Sequence, residues 1–174
     1  MGMVMTRTAA IVVSGIFAVI APGTVAGIVP WWISRWKLQP PFLHFYGFRV
    51  TGIILILASL PVLLDSFARF AVQGIGTPAP VFPTRHLVVT GLYRYVRNPM
   101  YLAVTGLIAG QALLLGNRTL LLYGMLVWLA FGTFVILYEE PVLRRTYAAE
   151  YEEFCRNVPR WIPRLNARRG RRPE

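Results

Sequence analysis

For its first 138 residues the chain carries a single carboxylate, Asp65. Two then stand side by side, Glu139 and Glu140, at the end of a strongly apolar run. Around these acids four apolar stretches are visible, judged by the roughly 20 residues a helix needs to cross a bilayer core. They cover about 8–33, 46–70, 99–115 and 119–138. With 56% hydrophobic residues in 174, enough for one domain, the chain reads as an all-α integral membrane protein. The expected architecture is a single membrane domain over 1–174, with about four transmembrane helices plus a cytoplasmic amphipathic C-terminal helix.

The first run could be mistaken for a signal peptide, with Arg7 before it and Thr24-Val25-Ala26 as a loose cleavage site. It continues apolar through Trp31-Trp32-Ile33, too long for such a segment, so it is read as a retained helix softened at Pro22-Gly23. Trp31, Trp32 and Trp36 suit an interfacial belt. Between the second and third runs, Gly74, Gly76, Pro78, Pro80 and Pro83 forbid a continuous helix. Segment 71–98 is therefore expected to be an ordered cytoplasmic loop. It is no nucleotide loop, because no strand precedes its glycines.

Asn98-Pro99 is a helix start, an N-cap followed by proline at the first helical position. Gly116-Asn117 is a stop followed at once by another helix. The third and fourth runs are thus an antiparallel hairpin. Asn98 to Gly116 is 18 residues, roughly 27 Å of helix, and Thr119 to Glu139 is 20 residues, roughly 30 Å. Asn98, Tyr101, Glu139 and Glu140 therefore return to similar depth. Gly106 and Gly110 form a small-xxx-small pair that could serve an internal contact or a homodimer.

Pro141 removes a backbone donor and predicts a kink or restart. The helix behind it, about 142–157, shows one apolar stripe: Leu143, Tyr147, Tyr151 and Phe154. Net charge is +11, but nine arginines lie between Arg144 and Arg172, behind the last apolar run. That is how cytoplasmic flanks of membrane proteins are charged. It argues for contact with membrane lipid and against nucleic acid, for which no recognition motif is present. It puts 71–98 and 141–174 on the cytoplasmic side, with Arg35 and Lys37 running against the rule. The lone Cys155 excludes an internal disulfide, and His44 and His86 lack ligand spacing, so no metal site is expected.

Ionisable groups at the end of a membrane helix are expensive and usually functional. Adjacent on a helix, Glu139 and Glu140 point about 100° apart, so only one can face a given pocket squarely. That acid can bind an ammonium or hydroxyl groups of a small, partly cationic cofactor. The plainer alternative is an ion pair at the membrane rim, of either acid with Arg97. Tyr93, Tyr95 and Tyr101 serve as pocket lining or as interfacial anchors. Asp65 and Arg69, four apart, suit a surface ion pair.

The stretch Thr77-Pro-Ala-Pro80, Pro83, Arg85-His86-Leu87-Val88, Gly91-x-Tyr93-Arg94-Tyr95-Val96-Arg97-Asn98-Pro99-Met100-Tyr101 carries a resemblance. So does Glu139-Glu140-x-x-Leu143, with Tyr147, Glu150-Tyr151, Phe154, Val158-Pro159 and Ile162-Pro163 behind it. Over about 65–165 the chain resembles the isoprenylcysteine carboxyl methyltransferase and phospholipid methyltransferase family, in its bacterial-type integral membrane form. The resemblance implies an S-adenosylmethionine-dependent methyltransferase of the inner (plasma) membrane with its site facing the cytoplasm. It implies a cofactor shell of His86, Tyr93, Asn98, Tyr101, Glu139 and Glu140. Arg97, Asn98 and Tyr101 become the candidate catalytic residues. Separately from the resemblance, Arg144 and Arg145 are candidate substrate contacts if Pro141 bends the chain back over the site. The acceptor would be a lipophilic or small molecule methylated by direct displacement.

Two departures stand out. The family often has His where Asn98 stands, and Asn cannot take a proton near neutral pH. Relatives that esterify a prenylcysteine carboxylate usually carry arginine shortly before the paired acids, where this chain has Phe131 to Tyr138 and no cation. A carboxylate acceptor is therefore disfavoured. The competing readings are a non-catalytic membrane scaffold of the same fold and a prenylcysteine carboxyl O-methyltransferase. A channel would need more polar residues than Thr105, Gln111 and Thr133.

Overall fold

The computed structural model describes residues 20–69, 87 and 89–164. His86, most of the 71–98 loop, the start of the first apolar run and the end of the basic tail lie outside the described residues. Among the described residues all regular structure is helical. The helices are α1 (Ile20–Ser34), α2 (Gly47–Arg69), α3 (Pro99–Leu115), α4 (Arg118–Phe134) and α5 (Glu140–Asn157). Two helical runs are long and apolar enough to cross a membrane by length and composition: α2 and the continuous run Arg118–Asn157. α1 and α3 are shorter apolar helices.

The α3–α4 hairpin forms as the spacing requires. Gly116 takes a left-handed conformation (φ 68°), which glycine adopts without a Cβ penalty. Asn117 then caps α4, its side-chain oxygen accepting from the Leu120 backbone N–H at 2.8 Å. Inside the hairpin, Ile108 and Leu120 are fully buried, with Val104, Leu107 and Ala112 around them.

α2 lies directly on α3. A Cβ on Gly52 would sit 2.6 Å from the Gly110 carbonyl oxygen, and one on Gly110 would sit 2.8 Å from the Gly52 carbonyl. A Cβ on Gly106 would overlap the Ser59 hydroxyl. The small residues of α3 thus serve an internal helix contact, the first of the two uses the sequence left open.

From Ile20 α1 is continuous through Pro22-Gly23 and widens directly after them into a π turn, Thr24–Ile28. Pro30 has no N–H to give the carbonyls one turn back. The carbonyl of Ala26 accepts instead from Gln111 Nε2 at 2.7 Å, and that of Val25 from the Tyr123 hydroxyl at 2.9 Å. Gln111 is therefore spent tying α1 to α3. Thr105 returns its hydroxyl to the Tyr101 carbonyl at 2.8 Å.

The expected interruption at Pro141 is absent. The chain passes through a π turn, Val135–Glu139, and enters α5 without a break. The wider turn accommodates the donor and the space that Pro141 denies the preceding carbonyls. The break comes at Ala148, whose φ of 40° and ψ of −114° leave the helical region. The expected stripe survives it. Tyr151, Phe154 and Val158 form a second core with Leu143 and Tyr147 packed against them.

Candidate active site at the mouth of the hairpin

The site forms where the hairpin opens, between the start of α3 and the junction of α4 with α5. Tyr101, one turn into α3, donates its hydroxyl to Glu139 Oε2 at 2.8 Å. Its ring packs on Phe131 of α4, with centroids 4.7 Å apart. Of the four residues that spacing brought to one depth, Tyr101 and Glu139 are thus in direct contact.

The two acids differ. Glu140 is 5% exposed. Its carboxylate accepts from Arg97 Nη1 at 3.1 Å and takes a two-pronged contact from Arg160, Nε at 2.6 Å and Nη2 at 2.9 Å. Bidentate arginine–carboxylate pairs are the strong form of this interaction. Bonding to Glu140 holds the Arg160 guanidinium above its ordinary range against a smaller opposing effect of burial. For Glu140 the rim ion pair is therefore the arrangement found, with a second arginine that spacing did not suggest. Glu139 makes no ion pair among the described residues, and its hydrogen-bond partner there is Tyr101.

The stretch before α3 is held from three sides. The Asp65–Arg69 pair forms, Nε to Oδ2 at 2.7 Å and Nη2 to Oδ1 at 2.9 Å. Arg69 also reaches Thr90 Oγ1 at 3.3 Å. Its guanidinium lies where a Cβ of Gly91 would sit, and Gly91 has φ 54°, so only glycine fits there. The turn Gly91–Arg94 that follows buries Tyr93 against α2, its hydroxyl hydrogen-bonded to Ser66. Burial, opposed by the Ser66 bond and reinforced by Glu139, pushes the Tyr93 phenol above its ordinary range. Tyr93 stays neutral and lies close enough to feel the Glu139 charge.

Asn98 precedes α3 as expected but makes no side-chain cap. Its amide donates to the Arg160 carbonyl at 3.2 Å. The partner is an irregular strap, 158–164, which Pro159 and Pro163 keep out of a helix. The strap runs beside 95–98: Arg97 N donates to the Pro159 carbonyl at 2.9 Å and Arg164 N to the Tyr95 carbonyl at 3.1 Å. Trp161 anchors it on Trp128 of α4, centroids 4.6 Å apart.

Arg97 also donates to Cys155 Sγ at 2.8 Å, while its Nε is buried without a partner among the described residues. Cys155 is thus a packed acceptor in the ion-pair cluster. Arg144 is given to Glu152 at 3.1 Å, both side chains half exposed, and Arg145 is exposed. Neither bonds to Tyr101, Asn98 or Glu139. The structure therefore brings together Tyr93, Arg97, Asn98, Tyr101, Glu139 and Glu140, and does not bring Arg144 or Arg145 to them. Arg160 and Ser66 were missed. The signal for Arg160 was its place between Pro159 and Pro163, whose non-helical backbone must find partners for its polar groups elsewhere.

The group of residues suits S-adenosylmethionine in chemistry. Glu139 is a carboxylate with no cation on it among the described residues, suited to an ammonium or to ribose hydroxyls. The orphaned Arg97 Nε is a further donor in the adjoining Glu140 cluster. No group of three metal-ligating side chains exists among the described residues.

Comparison with known proteins gives the chain a family. A curated protein-S-isoprenylcysteine O-methyltransferase of Schizosaccharomyces pombe (strain 972 / ATCC 24843) is 36% identical over 80 residues, 45% of this chain. The match covers 34% of that relative, so the chain corresponds to about a third of its length. No solved structure matches the chain. The model of the family described as phospholipid methyltransferase matches residues 48–150, more than half of the chain, and includes both sides of the hairpin mouth. The chain belongs to the phospholipid methyltransferase family.

Proposed function

We propose that the chain is an S-adenosylmethionine-dependent membrane methyltransferase acting on a lipophilic acceptor. The observation that carries the reading is the Tyr101–Glu139 contact beside a Glu140 already neutralised by Arg97 and Arg160. Of the two acids, only Glu139 is left to meet a cation. In this reading four helices cross the membrane, and the hairpin mouth, the strap and the arginine-rich tail face the cytoplasm, as the arginine count favours.

The bound cofactor supplies a methyl group on a positively charged sulfur, already activated for direct displacement. The protein has to bind, align and exclude water. Glu139 binds the cofactor's ammonium or hydroxyls. Tyr101 orients that carboxylate by donating to it. Tyr93, neutral and buried, walls the site toward α2. Arg97 and Asn98, expected as catalytic residues, act here by holding the strap and Glu140 in place. His86 is retained as a cofactor contact from the family resemblance alone.

For the acceptor we favour an amine, phenol or thiol. An unpaired carboxylate is costly in a membrane pocket. The two guanidinium groups beside the site are engaged by Glu140, and Arg144 by Glu152. The second reading, carboxyl O-methylation of a prenylcysteine, is favoured by the name of the yeast relative.

The test is transfer of labelled methyl from S-adenosylmethionine into a lipid extract by membranes containing the protein. The parent should label a product and Glu139→Gln should not. No labelled product with the parent would count for the scaffold reading, and equal labelling with Glu139→Gln would remove Glu139 from the cofactor site.

A further inference from the structure

One residue touches both sides of the hairpin mouth. The Arg160 side chain grips Glu140 at the start of α5 with two bonds, at 2.6 and 2.9 Å. Its backbone carbonyl accepts from Asn98 at the start of α3, at 3.2 Å. Glu140 is next to Glu139, and Asn98 is three residues before Tyr101. Arg160 therefore connects the neighbours of the two residues that meet at 2.8 Å in the proposed cofactor site. On the strap it is followed by Trp161, fixed on Trp128, and flanked by the Arg97–Pro159 and Arg164–Tyr95 backbone bonds.

We propose that Arg160 is a positioning residue of the methyltransferase site, holding Glu140 on the arginine cluster so that Glu139 alone faces the cofactor. The proposal rests on the cofactor reading above. Two carboxylates on successive helical positions compete for the same cations unless one is fixed. Arg97 alone contacts Glu140 through a single nitrogen and shares that nitrogen with Cys155. The planar fork of Arg160 supplies the orientation that one bond does not. Without it, Glu140 is free to turn toward the Tyr101 hydroxyl or the cofactor ammonium.

The experiment is a double-mutant cycle on S-adenosylmethionine affinity, by calorimetry on detergent-solubilised full-length protein. It uses Arg160→Gln, Glu140→Gln and the pair together, with Arg160→Lys and the exposed Arg156→Gln as comparisons. Arg160→Gln should weaken binding about tenfold, within the range of coupled neighbours. In the Glu140→Gln background the same change should cost less than about twofold, because the carboxylate it restrains is gone. Arg160→Lys, which keeps the charge but not the fork, should fall between, and Arg156→Gln should match the parent.

A role confined to folding would lower the melting temperature of Arg160→Gln and leave the affinity of the folded fraction unchanged, and that result overturns the proposal. So do additive losses in the cycle, which would mean that Arg160 does not act through Glu140. Failure of the cofactor reading itself would appear in the parent, as no binding at all, and would remove this proposal with it.

Discussion

Replacing Glu140 with glutamine tests the division of labour between the two acids through stability. Glu140 and Arg97 are 7% and 12% exposed at their side chains, so this is a buried pair. Removing one partner of such a pair costs about 3–5 kcal/mol, because the remaining charge is left buried without compensation. The Arg160 half is a third exposed, so solvent screens it and it adds only about 0–1 kcal/mol. Glutamine keeps the shape and one acceptor, which places the expected loss near the lower end, about 3 kcal/mol. For a chain of this size that corresponds to a melting temperature lower by about 6–12 °C. Glu139→Gln loses the charge on one neutral hydroxyl contact, worth about 1 kcal/mol, and should shift melting by less than about 4 °C. The assay is thermal unfolding of both variants in one detergent, followed by circular dichroism. Equal shifts, or a larger shift for Glu139→Gln, would refute the assignment of Glu140 to the fold and Glu139 to the ligand.

Gly110→Leu should separate α2 from α3 and destabilise by about 1–3 kcal/mol as an overpacked contact, read as a lower melting temperature without a change in oligomeric state. In a Cys155→Ser background, an impermeant thiol reagent applied outside intact cells should label Thr119→Cys and miss Arg145→Cys; the reverse pattern would invert the proposed orientation. A farnesylcysteine analogue should be a poor acceptor in membranes containing the protein, and robust methylation of it would establish the carboxylate reading instead.

Much of the fold was legible because it rests on local chemistry. Asn98-Pro99 and Gly116-Asn117 bound α3 in the sequence as they do in the structure, and hairpin arithmetic alone placed Tyr101 near Glu139. The stripe Leu143, Tyr147, Tyr151 and Phe154 found its core although the helix carrying it breaks at Ala148. That break has no sequence signal, since alanine favours helix. Pro141 misled for the opposite reason: a local rule predicted a kink, and a π turn absorbed it. Asn98 followed the capping rule in position but not in side chain, because Arg160, 62 residues on, offered its carbonyl. Contacts at such separation leave no periodicity to read. The same holds for Ser66 on Tyr93 and for Gly91, which takes a positive φ with the Arg69 guanidinium of the neighbouring element where a Cβ would be.

The most direct test of the central claim is an experimental structure of the protein with S-adenosylhomocysteine bound. The account predicts the ligand at the hairpin mouth, its amino or ribose groups within hydrogen-bond distance of the Glu139 carboxylate, and Glu140 still held by Arg97 and Arg160. A ligand bound elsewhere, or one held by Glu140 with Glu139 turned away, would contradict it.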